Sequence, residues 1–465
     1  MNIVNFFKRF GKAFWVANFA ELLERAAYYG VFIVITLYLS RILAFTDFEA
    51  ASISGVFSAL LYFLPTFTGA YADKIGFKKS LIVAFGFLSV GYFGLGIFPT
   101  LLESAGLAKY GFTTEFTGLR ESNDKYIIIP IMALIIIGGS FIKSVITGTV
   151  AKETDEKSRA TGFSIFYTIV NIGAFSGKTI VKPLREAMGN VGLIDISFFS
   201  AGMTLLALIA VIFFFRPSVT KGEGKSIGEI WNALIRVVTN ARLIILILII
   251  TGFWMVQHQL YATMPKYVLR MAGESASPSW YANVNPLVVF TTVGLITSLF
   301  KKRTALFSMT IGMFIMPVSA FAMAAGNMLN GESIDLGFTT MHPVAFMMIV
   351  GIAFQGLAES FISPRFLEYF SLQAPKGEEG LYLGFSHLHS FLSSILGFGL
   401  SGFLLEKYCP DPDLLSETEK LTAYDHAHYI WFVFVGIATI SAISLIIYGK
   451  VTTWLDSKKG APQIN

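Results

Sequence analysis

The sequence predicts an all-α membrane protein with twelve transmembrane helices in two bundles of six. Composition is the first reason: 54% of the 465 residues are hydrophobic and 14% are charged, whereas about 25% of the residues in a soluble domain are charged. The second reason is that twelve apolar segments are each long enough to cross a bilayer. The third is a polar gap that separates six of these segments from the other six. A soluble enzyme, a nucleic-acid-binding protein and a disordered chain are therefore excluded.

Each predicted span is a mostly apolar segment of about 20 residues or more. In the first half of the chain the spans cover about 13–39, 51–72, 79–101, 126–150, 159–181 and 195–215. In the second half they cover about 241–268, 283–300, 304–326, 342–370, 379–405 and 427–449. The division predicts an N-terminal bundle over 1–215, a cytoplasmic linker over 216–240 and a C-terminal bundle over 241–465.

The distribution of lysine and arginine predicts the orientation in the membrane. If the N-terminus is cytoplasmic, the cations of the inner segments outnumber those of the outer segments by about two to one. We therefore expect both termini on the cytoplasmic side of the plasma (inner) membrane. A cleaved signal peptide is not expected, because the first apolar segment contains Glu21, Glu24 and Arg25. The single cysteine, Cys409, excludes an internal disulfide and a multi-cysteine metal site, and we expect no metal or cofactor.

Glu21, Glu24 and Arg25 are the first candidate functional residues, because ionisable side chains at membrane depth are costly and usually functional. Spacings of three and four residues place them on one face of a helix, with Tyr28 one turn further. Two carboxylates and one guanidinium leave one negative charge over, so a carboxylate of the group could take up and release a proton. The alternative is an ion-pair cluster that only holds helices together.

Three more of the ionisable residues within predicted spans are candidates. Lys143 lies in the middle of the fourth span and could pair with a first-helix carboxylate or with an anionic group of a substrate. Glu359 lies deep in the tenth span and His258 in the seventh. His258 could be a hydrogen-bonded core residue or part of a proton relay. A purely structural role remains the alternative for each of them.

The loop between spans two and three resembles the loop signature of the major facilitator superfamily. Its glycines permit a tight turn, and its acid and bases could pair across the two flanking helices. The matching residues are Gly69, Asp73, Lys74, Gly76 and Lys78.

Three further segments resemble signatures of the proton-dependent oligopeptide transporters, a family within that superfamily. The segment from Glu21 to Gly30 is similar to ExxERFxYYG, and the segment from Phe166 to Gly173 is similar to FYxxINxG. The segment 359–364 is similar to ExxxSP, and Lys143 stands where the family has its fourth-helix lysine. These matches are spread along nearly the whole chain.

The resemblance implies the major facilitator fold and a role for each matching residue. Glu21, Glu24 and Arg25 would couple to protons, and Lys143 would pair with them and lie near the carboxylate of a bound peptide. Glu359 would bind the amino terminus of the peptide. The other residues expected to contact the substrate are Tyr28, Tyr62, Asn171, Trp254, His258 and Ser363.

The sequence also departs from the family pattern at the substrate site. Val31 and Phe32 stand where peptide transporters often have an arginine, and His258 stands where they commonly have an acid. Ser144 and Val145 replace the proline and asparagine that usually follow the fourth-helix lysine.

The predicted function is therefore proton-coupled symport of di- and tripeptides by alternating access, by a chain that acts as a monomer in the bilayer. One alternative is transport, which could be export, of another small and anionic solute. A second alternative is a membrane sensor or lipid-handling protein without transport. An enzyme is not expected, since no nucleotide-binding loop, metal-ligand spacing or nucleophile–base pair stands out.

Overall fold

The computed structural model is almost entirely helical. It describes residues 10–109, 119, 122–155, 158–217, 226–329, 333–337, 339–373, 379–420 and 422–459. Two short strands, β1 (Ile334–Asp335) and β2 (Thr340–Met341), pair antiparallel before the tenth span. The sequence analysis predicted no strands, because a pair of two-residue strands is too short to produce an alternating hydrophobic pattern.

The first half of the chain forms eight α-helices in the order in which the spans were predicted. A π-helix (Tyr38–Ile42) follows α2, and a 3₁₀-helix (Asn123–Ile127) precedes α6. The α-helices are α1 (Lys12–Phe32), α2 (Ile35–Leu37), α3 (Asp47–Phe63), α4 (Pro65–Ile75), α5 (Phe77–Ser104), α6 (Ile128–Lys152), α7 (Arg159–Met188) and α8 (Val191–Phe214).

The second half begins with an amphipathic helix in the predicted linker, α9 (Ile227–Thr239), and also contains a 3₁₀-helix (Pro412–Leu414). The remaining helices are α10 (Ala241–Gln257), α11 (Gln259–Ala262), α12 (Met264–Ala272), α13 (Pro278–Tyr281), α14 (Val284–Phe300), α15 (Ala305–Ala325), α16 (Pro343–Leu372), α17 (Glu379–Ser386), α18 (Leu388–Tyr408), α19 (Glu417–Lys420) and α20 (Tyr429–Lys459).

Within the described residues, nine helical segments are long and apolar enough to cross a membrane. The number rises to eleven if each of two bent helix pairs is counted as one span. The remaining predicted span, the fifth, corresponds to α7, which is 30 residues long. It is more polar than its neighbours α6 and α8, because its second half carries Lys178, Lys182 and Arg185. The predicted all-α membrane protein is confirmed, and each of the twelve predicted spans coincides with helix.

Several spans are interrupted, among them the eleventh at His387, between α17 and α18. The first span bends by 43° between α1 and the α2 segment, and the second bends by 42° between α3 and α4. Pro65 is the first residue of α4, where its missing N–H costs nothing and its ring prevents continuation of α3. The seventh span is interrupted at His258, between α10 and α11.

The chain divides into two compact units. The first comprises residues 1–46 and 60–230, and the second comprises residues 47–59 and 231–465. Helix α3 therefore begins in the second unit and ends in the first.

Helices within each unit approach closely through small residues. In the first unit α7 lies on α1, and a Cβ atom added to Gly177 would be 2.3 Å from the carbonyl oxygen of Ala26. In the second unit α15 lies on α16, and a Cβ atom on Gly312 would be 2.8 Å from the carbonyl oxygen of Ala358. Such contacts replace the hydrophobic driving force that is missing between helices in lipid.

Candidate functional site

The first-helix cluster is an ion-paired group on α1 in the first unit. Glu21, Glu24 and Arg25 are 3%, 1% and 7% exposed. The Nε atom of Arg25 is 3.3 Å from Oε1 of Glu21 and donates to Oε2 of Glu24 at 2.5 Å. The Nη2 atom of Arg25 also pairs with Glu24. The arginine thus binds Glu24 through two nitrogens and Glu21 through one.

The two carboxylates of this cluster differ in how well they are satisfied. The Oε2 atom of Glu21 is buried and has no hydrogen-bond partner in the described part of the chain. The guanidinium of Arg25 lies 5.3 Å from the centroid of the Tyr28 ring, which stacks on Phe32 at 5.1 Å. The predicted residues on α1 therefore form one contiguous group.

Lys143 lies on α6, and its ammonium is 4.1 Å from the centroid of the Tyr62 ring on α3. This is a cation–π contact, which is strongest where water is excluded. Among the residues that the structure describes, Lys143 makes no ion pair, but its charge interacts with those of the first-helix cluster as well as with the Tyr62 ring. The two predicted residues Lys143 and Tyr62 are thus brought together.

The interruption of the second span is held by the residue that follows Lys143. The Ser144 hydroxyl donates to the carbonyl oxygen of Pro65 at 2.6 Å, and the Thr68 hydroxyl donates to that of Ser140 at 2.9 Å. Helix α6 therefore supports the bend beside Tyr62. The departure from the family pattern at Ser144 supplies one of these hydrogen bonds.

Asn171 lies on α7 and is half-buried. Its Nδ2 atom donates to the carbonyl oxygen of Tyr167, four residues earlier, at 2.8 Å. Two residues later Gly173 allows α7 to lie against the backbone of Leu22 and the Cβ atom of Arg25. Asn171 is therefore on the helix that contacts the first-helix cluster.

Glu359 lies on α16 in the second unit and is half-buried. Its Oε2 atom accepts a hydrogen bond from Nε2 of Gln257 at 2.8 Å and another from Nδ2 of Asn285 at 3.3 Å. Two neutral amide donors from α10 and α14 thus orient the carboxylate. The predicted Ser363 lies one turn later on α16, and its buried hydroxyl has no partner within the described residues.

Trp254 and His258 lie at the end of α10. The indole of Trp254 stacks on the ring of His389 with centroids 5.2 Å apart and an angle of 14° between the planes. The His258 ring is 6.0 Å from the same indole, and its Nδ1 atom lies 3.3 Å from the hydroxyl of Ser394. Both predicted residues therefore contact α18.

The loop motif between α4 and α5 forms the predicted tight turn. Gly76 has φ 95°, a conformation that favours glycine over residues with a Cβ atom. A Cβ atom on Gly69 would be 2.8 Å from that of Ser144, and Lys78 donates to the carbonyl oxygen of Ile212 at 2.9 Å. Lys74 is exposed. The side chain of Asp73 lies outside the described part of the structure, so its predicted pairing stays a prediction.

Gln257, Asn285 and His389 belong to these groups but were not singled out from the sequence. Gln257 and Asn285 carry amides that look ordinary in a helix, and only the fold brings them to Glu359. His389 could have been noticed as a histidine that shares one helical face with several serines. In a sequence, such a pattern does not differ from an ordinary polar helical face. A cavity of about 350 Å³ along Phe307, Phe314 and Phe354 is lined by none of the predicted site residues.

The comparisons with known proteins agree with this architecture. The Major Facilitator Superfamily model matches residues 14–334. Dipeptide and tripeptide permease B of Shigella dysenteriae is 23% identical, and the match covers 97% of each chain. Multidrug resistance protein MdtH of Photorhabdus laumondii is 24% identical over 87% of this chain and 89% of its own.

A solved structure of similar fold is that of a bacterial homologue of the human drug peptide transporters PepT1 and PepT2. Its TM-score is 0.70 at 16% identity, and the match covers 96% of this chain and 99% of that one. The resemblance to the proton-dependent oligopeptide transporters is confirmed by these matches, and the protein is an integral, multi-pass membrane protein. The chain belongs to the major facilitator superfamily.

Proposed function

We propose that this protein is a proton-coupled symporter of di- and tripeptides that works by alternating access. The observation that carries the proposal is the first-helix cluster, which buries two carboxylates and one guanidinium in a membrane-spanning helix. Such groups are expensive in a bilayer and are expected where function requires them. The similarity to dipeptide and tripeptide permeases supports a peptide as the substrate.

The geometry favours Glu21 as the carboxylate that takes up the coupled proton. Glu24 is neutralised by two nitrogens of Arg25, whereas Glu21 contacts only Nε, at 3.3 Å. Protonation of the Oε2 atom of Glu21, which has no hydrogen-bond partner in the described part of the chain, would remove an unsatisfied buried charge, and such a charge is costly. The proton would thus neutralise the cluster, which otherwise carries one net negative charge.

We propose that this change of charge controls Lys143. With Glu21 ionised, the cluster attracts the lysine ammonium; with Glu21 protonated, the lysine is free to bind the carboxylate of a peptide. Coupling requires that the proton and the peptide both prefer the same conformational state. The contact of Lys143 with Tyr62 supports this role, since an aromatic face can hold the cation while it changes partners.

Glu359 is proposed to bind the amino group of the peptide. The amides of Gln257 and Asn285 orient its carboxylate without neutralising it. A carboxylate oriented in this way would attract a cationic ligand group. Two oppositely charged binding residues, Lys143 and Glu359, match the two ends of a zwitterionic peptide.

The test is uptake of dialanine into proteoliposomes with an inward proton gradient. Glu21→Gln should abolish accumulation but retain exchange of internal for external dialanine, because the neutral amide mimics the protonated carboxylate. The matched control is Glu103→Gln, an exposed acid at the end of α5, which should accumulate dialanine like the wild type. Accumulation by Glu21→Gln that collapses with a protonophore would contradict the role of Glu21.

A second candidate function is transport of an anionic solute. Lys178, which is 2% exposed and lies 5.1 Å from the Tyr29 ring, adds positive charge to the first unit. A match to a multidrug resistance protein also shows that related chains differ in their named cargo. Organic anions offered as competitors in the dialanine assay distinguish the two functions. We further infer that both termini are cytoplasmic and that the chain acts as a monomer in the inner membrane.

A further inference from the structure

A row of imidazole and hydroxyl side chains lies where α10 ends and α18 begins, inside the second unit. None of these residues has a role in the proposed coupling through the first-helix cluster. We refer to them as the histidine–serine row, which consists of His387, His389, Ser390, Ser393, Ser394, His258 and Ser58.

His389 is the residue at which the row is most enclosed. It is 3% exposed, and its Nδ1 atom lies 3.0 Å from the hydroxyl oxygen of Ser390. One face of its ring stacks on Trp254, and the edge of the ring meets Phe366 at a centroid distance of 5.0 Å.

His258 is the second buried imidazole, with 4% exposure. Its Nδ1 atom lies 3.4 Å from the Ser393 hydroxyl and 3.3 Å from the Ser394 hydroxyl. The Ser394 hydroxyl in turn lies 3.0 Å from that of Ser58 on α3. The hydroxyls therefore continue the row from the imidazoles to the second half of α3.

Hydroxyl partners allow an imidazole to change its protonation state without losing a hydrogen bond. A serine hydroxyl donates to a neutral imidazole nitrogen and, after rotation, accepts from a protonated one. An ammonium group in the same place could only donate, so it would stabilise the neutral ring and not the protonated one. The hydroxyls of the row can therefore satisfy its histidines in either protonation state.

Trp254 gives a protonated His389 a further source of stability. A cation over the face of an indole is attracted by the ring quadrupole, and the attraction is larger when water is excluded. The parallel stack at 5.2 Å places the imidazole ring over that face. A proton on His389 would thus act directly on a residue that is predicted to contact the substrate.

His387 is the exposed ring of the row. It is exposed, and its ring centroid is 6.1 Å from that of His389. Burial destabilises a charge, so the neutral rings are favoured while the row is enclosed. Protonation of His389 through His387 would break one N–H bond on His387 and form one on His389, and His387 would regain a proton from a hydronium ion.

Few ionisable groups in the described part of the chain interact with His389. The titratable groups that act on it are His387 and His258. Phe366 of α16 contacts the His389 ring. Glu359 lies two turns earlier on the same face of α16 and accepts a hydrogen bond from Gln257. From α3, α11 and α20, no described ionisable side chain adds a charge interaction with His389.

We propose that the histidine–serine row is a second proton-binding site, with His389 as the proton acceptor, His258 as its buried partner and His387 as its contact with water. The site is separate from the first-helix cluster. Coupling of this proton to peptide transport rests on the proposed function. Proton binding by the row does not.

The first experiment measures tryptophan fluorescence of the purified protein while the pH falls from about 8 to about 4.5, the range in which imidazoles titrate. A protonated imidazole in contact with an indole quenches it more than a neutral one does. The difference between wild type and Trp254→Phe isolates the signal of Trp254. We expect acid-dependent quenching of this signal and its loss in His389→Gln.

Two further variants separate titration from a change in packing. His389→Phe keeps an aromatic ring on Trp254 and should also lose the quenching, even if His389→Gln fails to fold. His342→Gln changes a histidine outside the row and should keep it. Quenching of Trp254 that persists in a folded His389→Phe protein would overturn the proposal, as would a wild-type signal that does not change with pH.

The second experiment tests coupling, with the proton-to-peptide ratio read from the membrane potential at which dialanine flux reverses. His389→Phe should lower the ratio by one proton relative to wild type. If peptide transport is absent altogether, the fluorescence titration still decides whether the row binds a proton. An unchanged ratio in an active His389→Phe transporter would overturn the coupling of this site.

Discussion

Gln257 illustrates how a neutral side chain can determine the behaviour of a charged one. It is 5% exposed and donates the shorter of the two hydrogen bonds to Glu359. Removing the donor takes the shorter of these two bonds from Glu359, and the hydrogen bond from Asn285 is longer, at 3.3 Å. The position of Glu359, rather than its charge, should therefore depend on Gln257.

We expect Gln257→Leu to raise the KM for dialanine by about tenfold or more, because a hydrogen bond to a charged group contributes about 1.5–3 kcal/mol. The maximal rate should change much less. N-acetyldialanine, which lacks the amino group that Glu359 is proposed to bind, serves as the matched control substrate. An equal loss of affinity for both substrates would show that Gln257 supports the fold rather than the amine site.

At the scale of elements, the contact between α1 and α7 is the closest helix packing in the first unit's candidate site. Gly173 and Gly177 face the backbone of α1 one turn apart. Any side chain there would push α7 away from the residues that form the first-helix cluster. Small residues at this spacing let two membrane helices approach closely.

Gly177→Ala should lower the stability of the protein by about 1–3 kcal/mol, because the added methyl group would overlap the backbone of α1. The measurement is thermal unfolding of the purified protein. Gly202→Ala on α8 is the matched control: nothing lies within 4 Å of the added methyl group, so stability should stay equal or rise slightly. A Gly177→Ala protein as stable as Gly202→Ala would show that α7 can move away without cost.

Sequence patterns predicted the helices of this fold well, because a membrane span is a long and local signal. The first-helix cluster was also predicted, since its members lie three and four residues apart on one helix. The partners contributed by other helices were not. Ser144 was recognised only as a departure from a family pattern, and its hydrogen bond to Pro65 depends on where α3 breaks. The contact of Lys143 with Tyr62 likewise depends on packing between helices that are distant in sequence.

At the scale of the whole molecule, α3 is a helix that begins in the second unit and ends in the first. Its first residue, Asp47, is held within the second unit. Lys266 donates to Oδ1 of Asp47 at 2.6 Å, and Arg270 donates to Oδ2 at 2.6 Å. Arg270 also donates to the carbonyl oxygen of Cys409 at 2.6 Å. Breaking these ion pairs would release the start of α3 from the second unit.

Cys409 offers a direct measure of these ion pairs, because it is the only cysteine in the chain. Its side chain is fully buried, and this burial raises the pKa of the thiol to about 12. A raised pKa keeps the thiol neutral at every pH well below that value, and the thiolate is the form that reacts with maleimides. Labelling of the folded wild type near pH 8 should therefore be slow and should become faster only when the region opens.

Asp47→Asn should speed this labelling by about tenfold or more, because breaking a buried ion pair by removing one partner costs about 3–5 kcal/mol and leaves Lys266 and Arg270 without their shared carboxylate. The rate is followed with a fluorescent maleimide on protein in nanodiscs. Asp335→Asn, in the exposed strand β1, is the control and should label like the wild type. If Asp47→Asn labels at the wild-type rate while its thermal unfolding is unchanged, the ion pairs do not hold α3 to the second unit. The motion required for transport would then have to occur elsewhere than at the start of the second span.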